Sequence, residues 1–160
     1  MLKNRSHESG RSMVEMVGVL AIMGLVTAGA FVLIQSGMAS QKRNRLADEI
    51  DILVSNARAM TAGSENCDSL PVTPSTFAKT DTSANLAKSI LQMTDNVTPL
   101  GGNSYYAISR ASGTSVKQFK IHVVGLTADE CATLGARSFS GGTASCPSSG
   151  TTVTITYNKN

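Results

Sequence analysis

A chain of 160 residues that is 41% hydrophobic and 16% charged has material for one modest globular core and one membrane-type anchor. Its net charge of +3 is too weak a bias for recognition of nucleic-acid backbones. The two histidines stand apart, and no C-x-x-C, H-E-x-x-H, P-loop or dinucleotide fingerprint occurs, so the sequence argues against an enzyme and calls for no metal or cofactor. Abundant Ser, Thr, Gly and Ala, with no Trp, suit a protein exposed outside the cytoplasm.

The first ten residues, Met1–Gly10, are short and polar, with Lys3, Arg5 and a single acid, Glu8. Gly10-Arg11-Ser12-Met13-Val14-Glu15 then leads into an apolar run, and from Met16 to Ile34 there are 19 residues without a charge. The uncharged stretch continues to Ser40. At about 1.5 Å per residue, a helix over its apolar part matches a hydrocarbon core roughly 30 Å thick. Glu15 stands at the threshold, where burial in lipid costs a carboxylate about 1–3 kcal/mol or more and creates a need for a partner. On an ordinary membrane anchor it would simply be an interfacial acid. A secretory signal peptide places its small cleavage-site residues after the apolar region, whereas Gly10 lies before it. Cations flank both sides, Lys3, Arg5 and Arg11 before and Lys42, Arg43 and Arg45 after, so charge bias sets no orientation.

The helix is expected to continue. Leu46, Ile50, Leu53, Val54, Ala57 and Met60 recur on one helical face, while Arg45, Asp48, Glu49, Asp51, Asn56 and Arg58 occupy the rest. Asp48, Glu49 and Asp51 beside Lys42, Arg43 and Arg45 read as a solvated face or, alternatively, as ion pairs between subunits. Gly63, suited to a left-handed C′ position, offers a stop. The rod from Arg11 to Met60 would be roughly 75 Å long, its apolar stripe packed on a small domain. Gly18, Gly24, Ala28 and Gly29 would permit close helix approach.

The remaining residues predict an α+β head. A loop with Pro71 and Pro74 leads to a helix over Ser83–Met93, then to a strand at Tyr105–Ser109 and a turn at Ala111–Ser115. Phe119, Ile121 and Val123 alternate with Lys120 and His122 as in a half-buried strand, leaving His122 neutral and partly exposed. Val153, Ile155 and Tyr157 alternate with threonines in another. A sheet of three or four antiparallel strands on the Leu46–Met60 face is the simplest assembly. Before the final strand, Thr127 and Glu130 form a capping box, Leu126 and Cys131 a hydrophobic staple, and Gly135 a helix stop. Three cysteines, Cys67, Cys131 and Cys146, allow three single pairings and leave one over; pairing implies an oxidising compartment.

A basic leader, a glycine, a glutamate five residues on and an apolar helix together resemble the N-terminus of type IV pilins and the related pseudopilins. The resemblance implies a leader over residues 1–10, a transmembrane and filament-core helix over 11–40, and a pilin head over 41–160. It implies cleavage by a prepilin peptidase between Gly10 and Arg11 and methylation of the new amine at Arg11. Arg11 is a departure, since the family usually carries Phe, Met or another apolar residue there, and the proline common in this half of the helix is missing. Glu15, Gly18, Gly24 and Gly29 would then serve subunit assembly, Glu15 by pairing with a neighbour's N-terminal amine and Gly24 or Gly29 by letting the rod bend or unwind. The implied product is a homopolymeric helical filament with this chain as its major subunit, and adhesion, aggregation, motility, DNA uptake and conjugation are all compatible with it. Implied partners are the peptidase, the assembly machinery of the inner membrane and that membrane itself, before the subunit reaches the cell surface. Strand, capped helix, glycine-rich loop and terminal strand resemble the C-terminal region of type IVb pilins, which implies a Cys131–Cys146 disulfide with Cys67 left over. Closing about 15 residues would contribute roughly 3 kcal/mol. The alternatives are a type II secretion pseudopilin or minor pilin and, from another class, a single-span anchored extracytoplasmic binding domain.

Overall fold

Fifty-three residues, Ser9–Thr61, form one uninterrupted helix, α1. The computed structural model describes residues 9–113, 116–147 and 150–159, and of residues 9–12 the backbone alone. The expected leader therefore lies outside the described residues up to residue 8. The chain divides into two units, Met1–Gln41 and Lys42–Asn160.

In the first unit α1 is long and apolar enough to cross a membrane. Its large side chains, from Met13 and Val14 to Ile34 and Met38, are all exposed. Its few hydroxyls bond back to the helix: Thr27 Oγ1 donates to the carbonyls of Met23 (2.8 Å) and Gly24 (3.0 Å), and Ser36 Oγ to that of Leu33 (2.9 Å). Such back-bonding lets polar side chains sit in an apolar helix without orphaned donors.

The second unit is α+β. After α1 come α2 (Thr82–Ile90), β1 (Tyr105–Arg110), β2 (Gln118–Val124), α3 (Ala128–Gly135), β3 (Gly142–Ser145) and β4 (Thr152–Asn158). The strands form one antiparallel sheet in the order β1-β2-β4-β3. Leu46, Ile50, Leu53, Val54 and Ala57 of α1 share a core with Tyr106 and Ile108, with Phe119, Ile121 and Val123, and with Val153, Ile155 and Tyr157. The stripe departs from expectation at its end. Met60 is 41% exposed, and Thr61, four residues beyond Ala57, takes the buried place, its hydroxyl donating to the Ala57 carbonyl at 2.9 Å.

Helix ends are closed by unexpected means. Gly63 is not among the glycines with positive φ. Instead the Lys159 ammonium donates to the carbonyls of Thr61 and Ser64, placing a cation at the negative end of α1. α2 stops three residues short of the expected Met93. Gln92 adopts φ 53°, its N–H donates to Ser89 O, and that of Met93 donates to Lys88 O, which is a Schellman ending built without glycine.

The sheet's second face is also covered near β1 and β2, where Ala84 of α2, Tyr105, Ala107 and Val124 cluster with Phe77 against them. His122 lies on this face and is 3% exposed, not partly exposed as the alternation suggested. Its Nε2 shares a 2.9 Å hydrogen bond with Ser109 Oγ, its Nδ1 a 3.0 Å bond with Thr154 Oγ1, and Phe77 tilts over the ring at 4.5 Å. The edge of β1 is closed in part by the Asn96 amide, which donates to Tyr106 O (2.8 Å) and accepts from Tyr106 N (3.1 Å), as a neighbouring strand would. Of the turn expected at Ala111–Ser115, residues 114 and 115 lie outside the described residues.

Burial, and then the charge of Lys120, lower the His122 pKa to about 4. The unfolded imidazole takes its proton near pH 6.5, so between that value and about 4 the unfolded state binds more protons than the native one. Stability should therefore be undiminished above pH 6.5 and fall by about 3 kcal/mol as pH drops to 4. Urea unfolding across this range, for wild type and His122→Gln, checks it: the variant should lose that part of the slope.

Candidate functional site

Two regions were singled out by sequence: the start of α1 and the cysteine-bearing C-terminal segment. In the first, Gly10 and Arg11 fall in the opening turn of α1, and the backbone positions of Arg11 and Glu15 are one turn apart on the same helical face. Gly18, Gly24 and Gly29 continue the helix without interruption. A Cβ added at any of the three would meet nothing within 4 Å. Each glycine weakens the helix by about 0.5–1 kcal/mol relative to alanine, and packing among the described residues supplies no reason for it.

In the second region Cys131 and Cys146 form a disulfide, with Cα atoms 5.7 Å apart, joining α3 to the residue after β3. The loop closed is 15 residues, for which chain entropy gives about 3 kcal/mol. Cys67 is a free, buried thiol whose pKa is raised chiefly by that burial. The capping box is present: Thr127 Oγ1 accepts from Glu130 N at 3.4 Å, and Glu130 Oε2 accepts from Thr127 N at 2.9 Å. Leu126 and Cys131, the expected staple, are both buried in the main core. Gly135 has a different task from the one expected. It is the last residue of α3 and has no positive φ, but a Cβ there would lie 2.8 Å from Cys146 Cβ. Glycine at 135 makes room for the disulfide. Between α3 and Cys146 runs a groove of about 330 Å³ lined by small residues, among them Ala128, Ala132 and Pro147.

The acidic run of α1 is divided by the fold. Asp48 and Asp51 are exposed, whereas Glu49 is 7% exposed, since it follows Leu46 by three residues and precedes Leu53 by four on the buried face. Glu49 Oε1 meets Arg45 Nε at 3.0 Å, and Glu49 Oε2 accepts a 2.7 Å hydrogen bond from the Tyr106 hydroxyl. The solvated-face reading is thus corrected for one of the three carboxylates, Glu49, which ties α1 to β1. Burial, reinforced by the bond to Glu49, raises the Tyr106 pKa far beyond the usual phenol range and keeps it a donor. Tyr157 is pushed up to about 12, first by burial and then by the charge of Asp51.

A serine–histidine pair exists, but in a closed setting. Ser109 and His122 are both buried, and the other imidazole nitrogen meets the Thr154 hydroxyl where an orienting carboxylate would be needed. Among the described residues no group of three His, Cys, Asp or Glu side chains is placed to hold a metal ion. Sequence reasoning set Glu49 on the solvated face and missed Asn96 and Lys159; the spacing from Leu46 could have flagged the first, while Asn96 acts from a loop without periodicity and Lys159 across 98 residues. No family model, curated protein or solved structure matches the chain.

Loss of the Tyr106–Glu49 bond should matter more than loss of Arg45, whose side chain is 73% exposed. Tyr106→Phe is expected to lower stability by about 1.5–3 kcal/mol, as for a buried bond to a charged group. Arg45→Ala should cost under about 1 kcal/mol. Urea unfolding of the full chain in detergent, with the disulfide intact, provides the comparison.

Proposed function

We propose that this chain is a type IV pilin-like structural subunit, the main repeating unit of a surface filament assembled through α1. The observation that carries the reading is the Gly10–Glu15 spacing at the head of an unbroken helix whose apolar side chains and glycines find no partner among the described residues. Before assembly the inner membrane would cover Met13–Met38; after it, the same helices of neighbouring subunits would. The α+β head, with the amphipathic part of α1 against a four-stranded sheet and the Cys131–Cys146 closure, is compatible with such a subunit.

Assembly assigns Glu15 its part. A carboxylate entering an apolar filament core is strongly disfavoured unless paired, and the amine freed at Arg11 by cleavage after Gly10 is the matching cation on the next subunit. The pair would set axial register, because only one stagger brings the two charges together. The small residues Gly18, Gly24 and Gly29 would allow the backbones to approach.

Glu15→Ala should leave leader cleavage intact and reduce filament yield at least tenfold, measured by shearing surface filaments and blotting the subunit; wild-type yield would refute the role. The intact mass of the protein, from cells with and without a prepilin peptidase, tests the route itself. Peptidase-dependent loss of residues 1–10 supports it. A chain beginning at Met1 in both strains would leave a single-span anchored domain.

A further inference from the structure

The span of α1 is followed at once by cations, and the fold adds one from far away in sequence. Lys42 comes two residues after Ser40, about 3 Å further along a helix axis, with Arg43 and Arg45 behind it. All three are exposed. Arg137, in the segment leaving α3, donates from Nη1 to the Arg43 carbonyl at 3.4 Å, so a guanidinium 94 residues distant is held at the same level of the rod. The turn that ends α3 fixes its backbone, with Arg137 N donating to Leu134 O at 3.1 Å.

The charges in this collar are largely uncompensated. Lys42, Arg43 and Arg137 enter none of the ion pairs found among the described residues, and Arg45 alone is paired, with Glu49. Glu49 is turned inward to Tyr106, leaving Asp48 and Asp51 as the exposed acids of that part of α1. Cations therefore outnumber accessible acids where the helix would leave the hydrocarbon.

We propose that Lys42, Arg43 and Arg137 form a docking surface for anionic phospholipid headgroups. The inference rests on the membrane-spanning part of the functional reading and not on polymerisation. Its distinctive content is Arg137. Juxtamembrane basic residues follow many spans, but here the disulfide-linked region of the head supplies a phosphate ligand as well. Guanidinium groups suit this partner because their forked donors match phosphate oxygens.

The test is spin-labelled lipid selectivity of the full-length chain reconstituted in phosphatidylcholine vesicles. The spectra give the association of labelled phosphatidylglycerol with the protein boundary relative to labelled phosphatidylcholine. A several-fold preference is expected, up to about fivefold per engaged cation, and it should shrink as salt is added. Arg137→Gln should lower the preference measurably with the disulfide and circular dichroism unchanged, and Arg43→Gln together with Arg137→Gln should lower it further. A preference of one, or one that Arg137→Gln leaves untouched, overturns the proposal while leaving the span intact. Failure of the wild-type chain to float with the vesicles would overturn the span and the docking surface together.

Discussion

The structure depends on the fact that one helix must satisfy two surroundings. In its first unit the large apolar side chains of α1 lie open, at a disadvantage of about 1.5–3 kcal/mol for each that water would have to solvate. No rearrangement of a few residues relieves so large a sum, and the helix is long and apolar enough for a membrane to do so. In the second unit the same helix presents one stripe, and the sheet covers it. The change of surroundings falls where the sequence changes from uniformly apolar to amphipathic, at Lys42.

The head compensates for its small size by fastening polar groups inside. Glu49 with Tyr106, Asn96 with the edge of β1, His122 between Ser109 and Thr154, and Lys159 on the end of α1 are each satisfied by a partner distant in sequence. Buried polar groups of this kind add modestly to stability when paired and are expensive when orphaned. They select one packing of helix on sheet, because a shifted arrangement would strand several of them at once.

Period and spacing made much of this readable beforehand. The alternation of Phe119, Ile121 and Val123, and of Val153, Ile155 and Tyr157, marks strands because each presents one apolar face to α1. The Thr127–Glu130 box marks the start of α3 because its chemistry is local. What escaped is what depends on distant partners. β3 carries no apolar alternation: its Gly142 is required because a Cβ there would come within 2.6 Å of the Tyr157 ring. His122 was read from its own strand, yet its burial is decided by Phe77 and α2. Gly135 resembles a stop signal and proves to be clearance for Cys146. The part proposed for Gly10, Arg11 and Glu15 at the start of α1 rests on a spacing, which lies in sequence order and not in contacts within the head.

The burial of Cys67 bears on how the right pair of sulfurs is kept. Three thiols allow three couples, and their order in the chain, Cys67, then Cys131, then Cys146, does not by itself favour the couple found. Cys67 is fully enclosed in the core, and enclosure holds it in the unreactive protonated form. Cys146 remains within reach at the surface, beside a half of the pair already anchored on α3. Packing thus guards the finished pair, because a thiol enclosed in the core cannot attack the Cys131–Cys146 disulfide and exchange with it.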